Sequence, residues 1–331
     1  MSKPAAATSA EAVGAMVRPP GKKPVVQRAK AFCTDFIRQW ELQSMILPGV
    51  IFMIVFNFIP IYGLTIAFKN YTVIDTIDSA PWVGLDNFRI ILTDPYFWDS
   101  VVNTLGISFL KLAIGFVVPI ILAIMIYEVS GSRFKKIVQT ISYLPHFLSW
   151  IVLGGMLITW VSTTGLFNQI LLSLGLISQP QNILLDPSKY WWIAVLSDIW
   201  KEAGWGTILY LAVMAKIDPT YYEAAKIDGA NRMRQIWNIT IPNMKMIISL
   251  NLILTVSGLL GSNLDQTLVL MNSQNREKAE VINSYVYRMG MTQGDFSYAT
   301  AVGLGVSIVS VILLVTANKI TSKLNDNQSV L

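Results

Sequence analysis

The sequence predicts an all-α integral membrane protein with six transmembrane helices and both termini cytoplasmic, on three observations. Hydrophobic residues make up 53% of the 331 residues and charged residues only 14%, where a soluble domain carries roughly 25% charge. Six apolar stretches reach the ~20 residues that a helix needs to cross a bilayer core. Lys and Arg crowd into alternate connecting segments, the asymmetry that sets orientation in a cytoplasmic membrane.

The six stretches are 46–68, 101–127, 137–160, 190–215, 244–271 and 297–318. Pro48, Pro60, Pro119 and Pro145 fall inside them; neighbouring helices satisfy the carbonyls that such prolines free. With both termini inside, 17 of the 25 Lys and Arg residues lie on the inner side and 6 on the outer, leaving Lys111 and Lys201 within spans. The first outer loop is also acidic, with Asp75, Asp78, Asp86, Asp94 and Asp99. The organisation that follows is a cytoplasmic tail over 1–45, a membrane domain over 46–318 with an inner loop at 216–243, and a short cytoplasmic tail over 319–331. The first apolar run starts only near Ile46, so the N-terminal tail is expected to remain attached. Within the tail, Val25–Met45 mixes basic residues with Phe32, Phe36, Ile37 and Trp40. That suits either a helix lying in the interface or a plain juxtamembrane linker.

Several function classes are disfavoured at once. Cys33 and His146 are the only residues of their kinds, which leaves no disulfide and little basis for a zinc site. No G-x-x-x-x-G-K-[ST] phosphate loop occurs, so the chain is not expected to hydrolyse ATP itself. No enclosed pair of carboxylates suggests glycosidase chemistry. The chain is expected to be no enzyme, and to hold no cofactor or metal.

The inner loop carries the sharpest signal. From Ile217 to Pro242 it reads I-D-P-T-Y-Y-E-A-A-K-I-D-G-A-N-R-M-R-Q-I-W-N-I-T-I-P. Asp218 can cap free amides and Pro219 suits the first helical position. Glu223 favours the positive end of the dipole, Ala224 and Ala225 are strong helix formers, and Gly229 ends or bends the helix. A short surface helix with a small-residue face results, a shape that fits a groove on a cytosolic partner.

This loop resembles the signature of the inner-membrane subunits of ATP-binding-cassette (ABC) importers: E-A-A, three residues, G, nine residues, I-x-L-P. The matching positions are Glu223, Ala224, Ala225, Gly229, Ile239 and Pro242, with Ile241 where the family usually has Leu. W-E-L-Q-S-M-I-L-P-G-V (Trp40–Val50), I-P-I-Y-G-L-T-I-A-F-K-N-Y (Ile59–Tyr71), W-V-G-L-D-N-F (Trp82–Phe88), D-I-W-K-E-A-G-W-G-T (Asp198–Thr207) and V-I-N-S-Y-V-Y-R-M-G (Val281–Gly290) narrow the resemblance to the polysaccharide-type sugar permeases, including those for aldouronate and alginate. The resemblance implies a type I importer core in which Glu223, Ala224, Ala225, Asp228, Gly229 and Pro242 serve ATPase coupling. It implies a second homologous permease, two copies of an ATPase that hold the ATP and Mg, an extracytoplasmic solute-binding protein and an oligosaccharide substrate, all around a bacterial cytoplasmic membrane.

Ionisable groups at membrane depth are functional candidates by default. Asp198, Lys201, Glu202 and Trp205 stand at i, i+3, i+4 and i+7 on one helical face, and Lys201 is expected to pair with Asp198. Such a face serves either as a structural ion pair or as a sugar-lining surface with the ring of Trp205. Asn251, Thr255, Gly258, Ser262 and Asp265 form a second stripe suited to close packing or a wet path, and Asn263, Asp265 and Gln266 near its outer end are candidates for meeting substrate. Lys111 either lines the path or snorkels, and His146 is expected to be a hydrogen-bonded packing residue. Two other classes stay open: an importer of a non-sugar solute such as a peptide, and an ion-coupled secondary transporter.

Overall fold

The computed structural model describes residues 39–261 and 264–324. Apart from one bridge between Lys69 and Trp82, the regular structure among those residues is helical. Five helical runs are long and apolar enough to cross a membrane. They are α1 (Trp40–Phe68), α3 (Pro95–Glu128), the pair α5–α6 (Trp150–Ser173), α9 (Arg232–Ser257) and α13 (Phe296–Leu324). Short helices lie between them: α2 (Asp86–Thr93), α4 (Ser132–Tyr143), α8 (Pro219–Ile227), α10 (Leu264–Leu270), α11 (Arg276–Ala279) and α12 (Ile282–Tyr287).

The helix α7 (Pro187–Met214) is 28 residues long, yet every 18-residue window in it contains Asp198, Lys201 and Glu202. Its length rather than its hydropathy fits the expected fourth span. Most of Val25–Met45 precedes Gln39 and lies outside the described residues. Trp40–Met45 already belongs to the helix of the first span. From Trp40 to Gly63 the side chains of α1 are exposed almost throughout.

Proline sites explain three of the four wide turns among the described residues, the exception being Arg288–Thr292. The wider turns Ile54–Phe58, Lys111–Gly115 and Ile236–Thr240 each precede a proline, namely Pro60, Pro119 and Pro242. A proline removes the amide that would serve the carbonyl four residues back and crowds that carbonyl. One wide turn, as in the Phe116 amide donating to the Lys111 carbonyl at 3.1 Å, relieves the crowding without ending the helix.

Pro145 acts differently, and it corrects the expected third span. Helix α4 ends at Tyr143, a tight turn covers Leu144–Phe147, Leu148 is extended, and the Ser149 hydroxyl caps α5 by accepting from the Val152 amide at 3.3 Å. The apolar run placed at 137–160 is therefore two helices, and the run long and apolar enough to cross is Trp150–Ser173. The fifth stretch, 244–271, also divides: α9 ends at Ser257, a turn occupies Gly258–Gly261, and α10 resumes at Leu264. The stripe from Asn251 to Asp265 is consequently not one helical face.

Three apolar clusters pack the residues from Leu64 onward. Ala123, Tyr210, Met214 and Met244 join the ends of α3, α7 and α9. Ile107, Leu153, Leu157, Tyr190, Val195 and Leu270 join α3, α5, α7 and α10. Ile282, Tyr285, Tyr298 and Val302 pack α12 on α13, where the hydroxyls of Tyr285 and Tyr298 both donate to Asp94, the N-cap of α3. At Gly204 a Cβ would overlap the Ser142 carbonyl, so α4 and α7 cross backbone against backbone. That crossing holds the break at Pro145 against the charged middle of α7.

Candidate functional site

The charged turn of α7 builds the site. Its carboxylates and Trp205 face a groove of about 610 Å³ that also takes in Lys111, Asn251 and Thr255. Lys111, on the wide turn of α3, lies 3.2 Å from Asp198 and donates to Gln266 Oε1 at 3.2 Å. Gln266 Nε2 donates in turn to the Ala194 carbonyl at 2.7 Å and to Ser197 Oγ at 2.9 Å. Both ends of that buried amide are thus engaged, so Gln266 ties α3, α7 and α10 together rather than standing free for a ligand.

Lys201 is 6% exposed and does not line the groove. The expected pairing with Asp198 is replaced: the Lys201 ammonium lies 3.2 Å from Glu202 Oε1 and donates to the His146 carbonyl at 2.5 Å. The break at Pro145 exposes that carbonyl, and a cation nearby is the natural donor. Asp198 is meanwhile taken by Lys111 across the interface with α3.

His146 completes the arrangement, as the hydrogen-bonded residue it was expected to be. Its Nδ1 lies 2.7 Å from Glu202 Oε2, and its ring stacks on Trp205 with centroids 4.3 Å apart and planes 4° from parallel. Phe147 meets both rings edge-on. The stack covers one face of the indole, while Trp205 as a whole stays 43% exposed and lines the groove beside Glu202. Hydroxyl-rich rings present matching edges and C–H faces. Trp200 turns elsewhere and packs against Trp160.

The remaining candidates separate. Asn251 lines the groove beside Tyr210, Asp265 is exposed on α10, and Asn263 lies outside the described residues. Phe116 and Tyr210, which also line the groove, were missed because an apolar span offers no local signal for which aromatic faces inward.

In the loop at 216–243, α8 forms where the local signals put it. Asp218 Oδ1 accepts from the Thr220 amide at 2.9 Å, and Pro219 takes the first position. Those hydrogen bonds from Thr220 hold the exposed Asp218 carboxyl below its ordinary pKa. At the other end Gly229 has φ +76°. Its amide donates to the Lys226 carbonyl at 3.1 Å and the Ala230 amide to the Ala225 carbonyl at 2.8 Å, the paired closure that needs a left-handed residue. Glu223, Ala224 and Asp228 are exposed and Ala225 half-buried. The Tyr222 hydroxyl, 3.0 Å from Thr240 Oγ1, ties α8 to the start of α9 just before Pro242.

Comparison with known proteins gives this geometry a family. Residues 115–325 match the family described as binding-protein-dependent transport system inner membrane component. Among curated relatives, the polygalacturonan/rhamnogalacturonan transport system permease protein YteP of Bacillus subtilis is 40% identical over 301 residues, covering 91% of this chain and 93% of its own. Protein LplB of the same organism is 39% identical over 283 residues, covering 85% and 88%. Among solved structures, one chain of a bacterial ABC transporter involved in the import of the acidic polysaccharide alginate superposes with TM-score 0.82. It is 35% identical and covers 88% of this chain and 99% of its own. A second, TM-score 0.81 and 34% identical, covering 88% of this chain and 97% of its own, comes from an alginate ABC transporter in complex with an alginate pentasaccharide-bound periplasmic protein.

Proposed function

This chain belongs to the family of binding-protein-dependent transport system inner membrane components, and from that premise we propose that it is the permease subunit of an ABC importer for oligosaccharides. The observation that carries the reading is Trp205, backed on one face by His146 and set beside Glu202 and Asp198 in a groove at the middle of α7. A helix of 28 residues spans about 42 Å at 1.5 Å per residue. Asp198, Lys201 and Glu202 are each neutralised by a partner within 3.2 Å, which lowers the cost of holding α7 in the bilayer. On this reading α7 brings the crossings to six as the fourth in chain order, both termini are cytoplasmic, and α8 lies on the cytoplasmic side.

There α8 docks into a partner ATPase that binds the ATP, with Glu223, Ala224, Ala225, Asp228 and Gly229 at the contact. A second permease completes the path, and an extracytoplasmic binding protein delivers the sugar. ATPase closure pushes α8, and the membrane halves rock between outward- and inward-open states. Sugar rings then stack on Trp205 while Glu202, Asp198 and Asn251 exchange hydrogen bonds with hydroxyls. Uronate oligomers are the first cargo to test, since one relative above is named for polygalacturonan and rhamnogalacturonan and a solved neighbour for the acidic polysaccharide alginate.

The test is uptake by the complete complex in proteoliposomes. Labelled oligosaccharide should enter only with ATP and binding protein present. Uptake driven by a proton gradient without ATP would replace this reading with secondary transport, and uptake of peptide but no saccharide would replace the cargo.

A further inference from the structure

A second cavity, of about 670 Å³, lies between α8, the last turn of α3, α4 and the first turn of α9. Three cations face it, Lys135, Lys226 and Arg232, against one carboxylate, Glu128. Among the described residues, Lys226 and Arg232 make no side-chain hydrogen bond or ion pair. Lys135 uses one donor on the Tyr127 carbonyl at 3.0 Å and stands 5.3 Å from the centre of that ring. The cavity therefore has a net positive charge with most of its donors unused. Tyr127 and Glu128 close one membrane-crossing run and Arg232 opens another, so the cavity sits where two helices leave the hydrocarbon.

The apolar residues beside it point to the kind of ligand. Phe134, Ile137 and Ile141 of α4 are 58%, 55% and 66% exposed and share one face at spacings of three and four. At the start of α9, Met233 and Trp237 are 61% and 64% exposed, and Trp suits the membrane–water boundary. A ligand with phosphate at the cations and hydrocarbon along these side chains satisfies both surfaces. We propose that this cavity binds the headgroup of an anionic phospholipid, with Lys135, Lys226 and Arg232 on the phosphate and the acyl chains along the exposed face of α4. Basic pockets at the ends of crossing helices hold such headgroups by this electrostatic attraction. Because Lys226 belongs to α8 and Lys135 to α4, the lipid bridges the docking helix to the helices it must move. The binding itself does not depend on the transport reading; only this consequence does.

The experiment uses the intact complex purified in detergent, with phosphatidylglycerol or phosphatidylcholine added and bound lipid counted by native mass spectrometry. Phosphatidylglycerol should be retained in preference to phosphatidylcholine. The double variant Lys135→Gln/Arg232→Gln should weaken that retention about twenty-five-fold, with about a fivefold loss for each surface cation, while Lys135→Arg/Arg232→Lys restores it. An unchanged melting temperature excludes misfolding as the cause. Equal retention of the two lipids, or undiminished retention by the Gln variant, would overturn the proposal. Protection of the complex by inorganic phosphate with no lipid retained would assign the cavity to a free anion instead. Crosslinking of a residue at position 232 to an acidic ATPase segment, again without lipid, would assign it to the partner. Loss of ATPase binding with lipid still retained would sink the docking role of α8 and leave this site standing.

Discussion

Two residues on adjacent turns of α7 have opposite jobs, although they share a helical face. Trp205 is open to the groove, whereas Lys201 lies behind it and holds Glu202 and the His146 carbonyl. Trp205→Ala should therefore leave assembly intact and lower sugar uptake about tenfold, the loss of roughly 1.4 kcal/mol of stacking. Lys201→Met should do the reverse. It strands a carbonyl at the Pro145 break and leaves Glu202 without its cation, at a cost of about 3 kcal/mol, the low end for a broken buried pair because Glu202 is half-exposed. Melting temperature and complex yield should fall, and Lys201→Met/Glu202→Gln should recover part of the loss. Assembly and uptake measured on the same samples check both; a Trp205→Ala complex with full uptake would remove the stacking surface from the sugar path.

At the scale of elements, α8 was legible in the sequence and the third crossing was not, for a physical reason. Everything that shapes α8 acts within a dozen residues: the Asp218 cap, Pro219 and the left-handed Gly229. Gly229→Val should then cost well over the ~1 kcal/mol of an ordinary left-handed residue, since a β-branched side chain is most strained there. The expected outcome is an inserted permease that copurifies with severalfold less ATPase. Normal ATPase content together with normal transport would show that the closure of α8 is dispensable. The third crossing depended instead on whether Pro145 kinks a helix or ends one. In a membrane both happen, and hydropathy is continuous through the break. What decides it is the close approach of α4 to α7 at Gly204, a contact between residues 62 apart. The site shows the same division. The stripe on α7 was visible from its spacing, but its partners Lys111 and His146 lie 87 and 56 positions away, and pairing over such distances leaves no local trace.

For the whole molecule the decisive question is whether α7 crosses the membrane, because for a given orientation of the chain it fixes the side on which α8 lies. The basic asymmetry argues that it does, while its three central charges set it apart from the five apolar runs. Three exposed serines test this directly: Ser79 before α3, Ser132 after it, and Ser273 after α10. From Ser79 to Ser132 the chain crosses once, along α3. From Ser132 to Ser273 it crosses along α5–α6 and α9, and a third time only if α7 spans. With Cys33 replaced, single cysteines at 79 and 273 should then react with a membrane-impermeant thiol reagent added outside intact cells, and one at 132 should not. If α7 is re-entrant, the count from 132 to 273 becomes even and position 273 goes silent together with 132. In that case α8 would lie on the side of Ser79, away from any cytoplasmic ATPase, and the coupling mechanism would fail with it. Labelling at 132 alone would reverse the orientation of the whole chain and contradict the distribution of 17 inner against 6 outer cations.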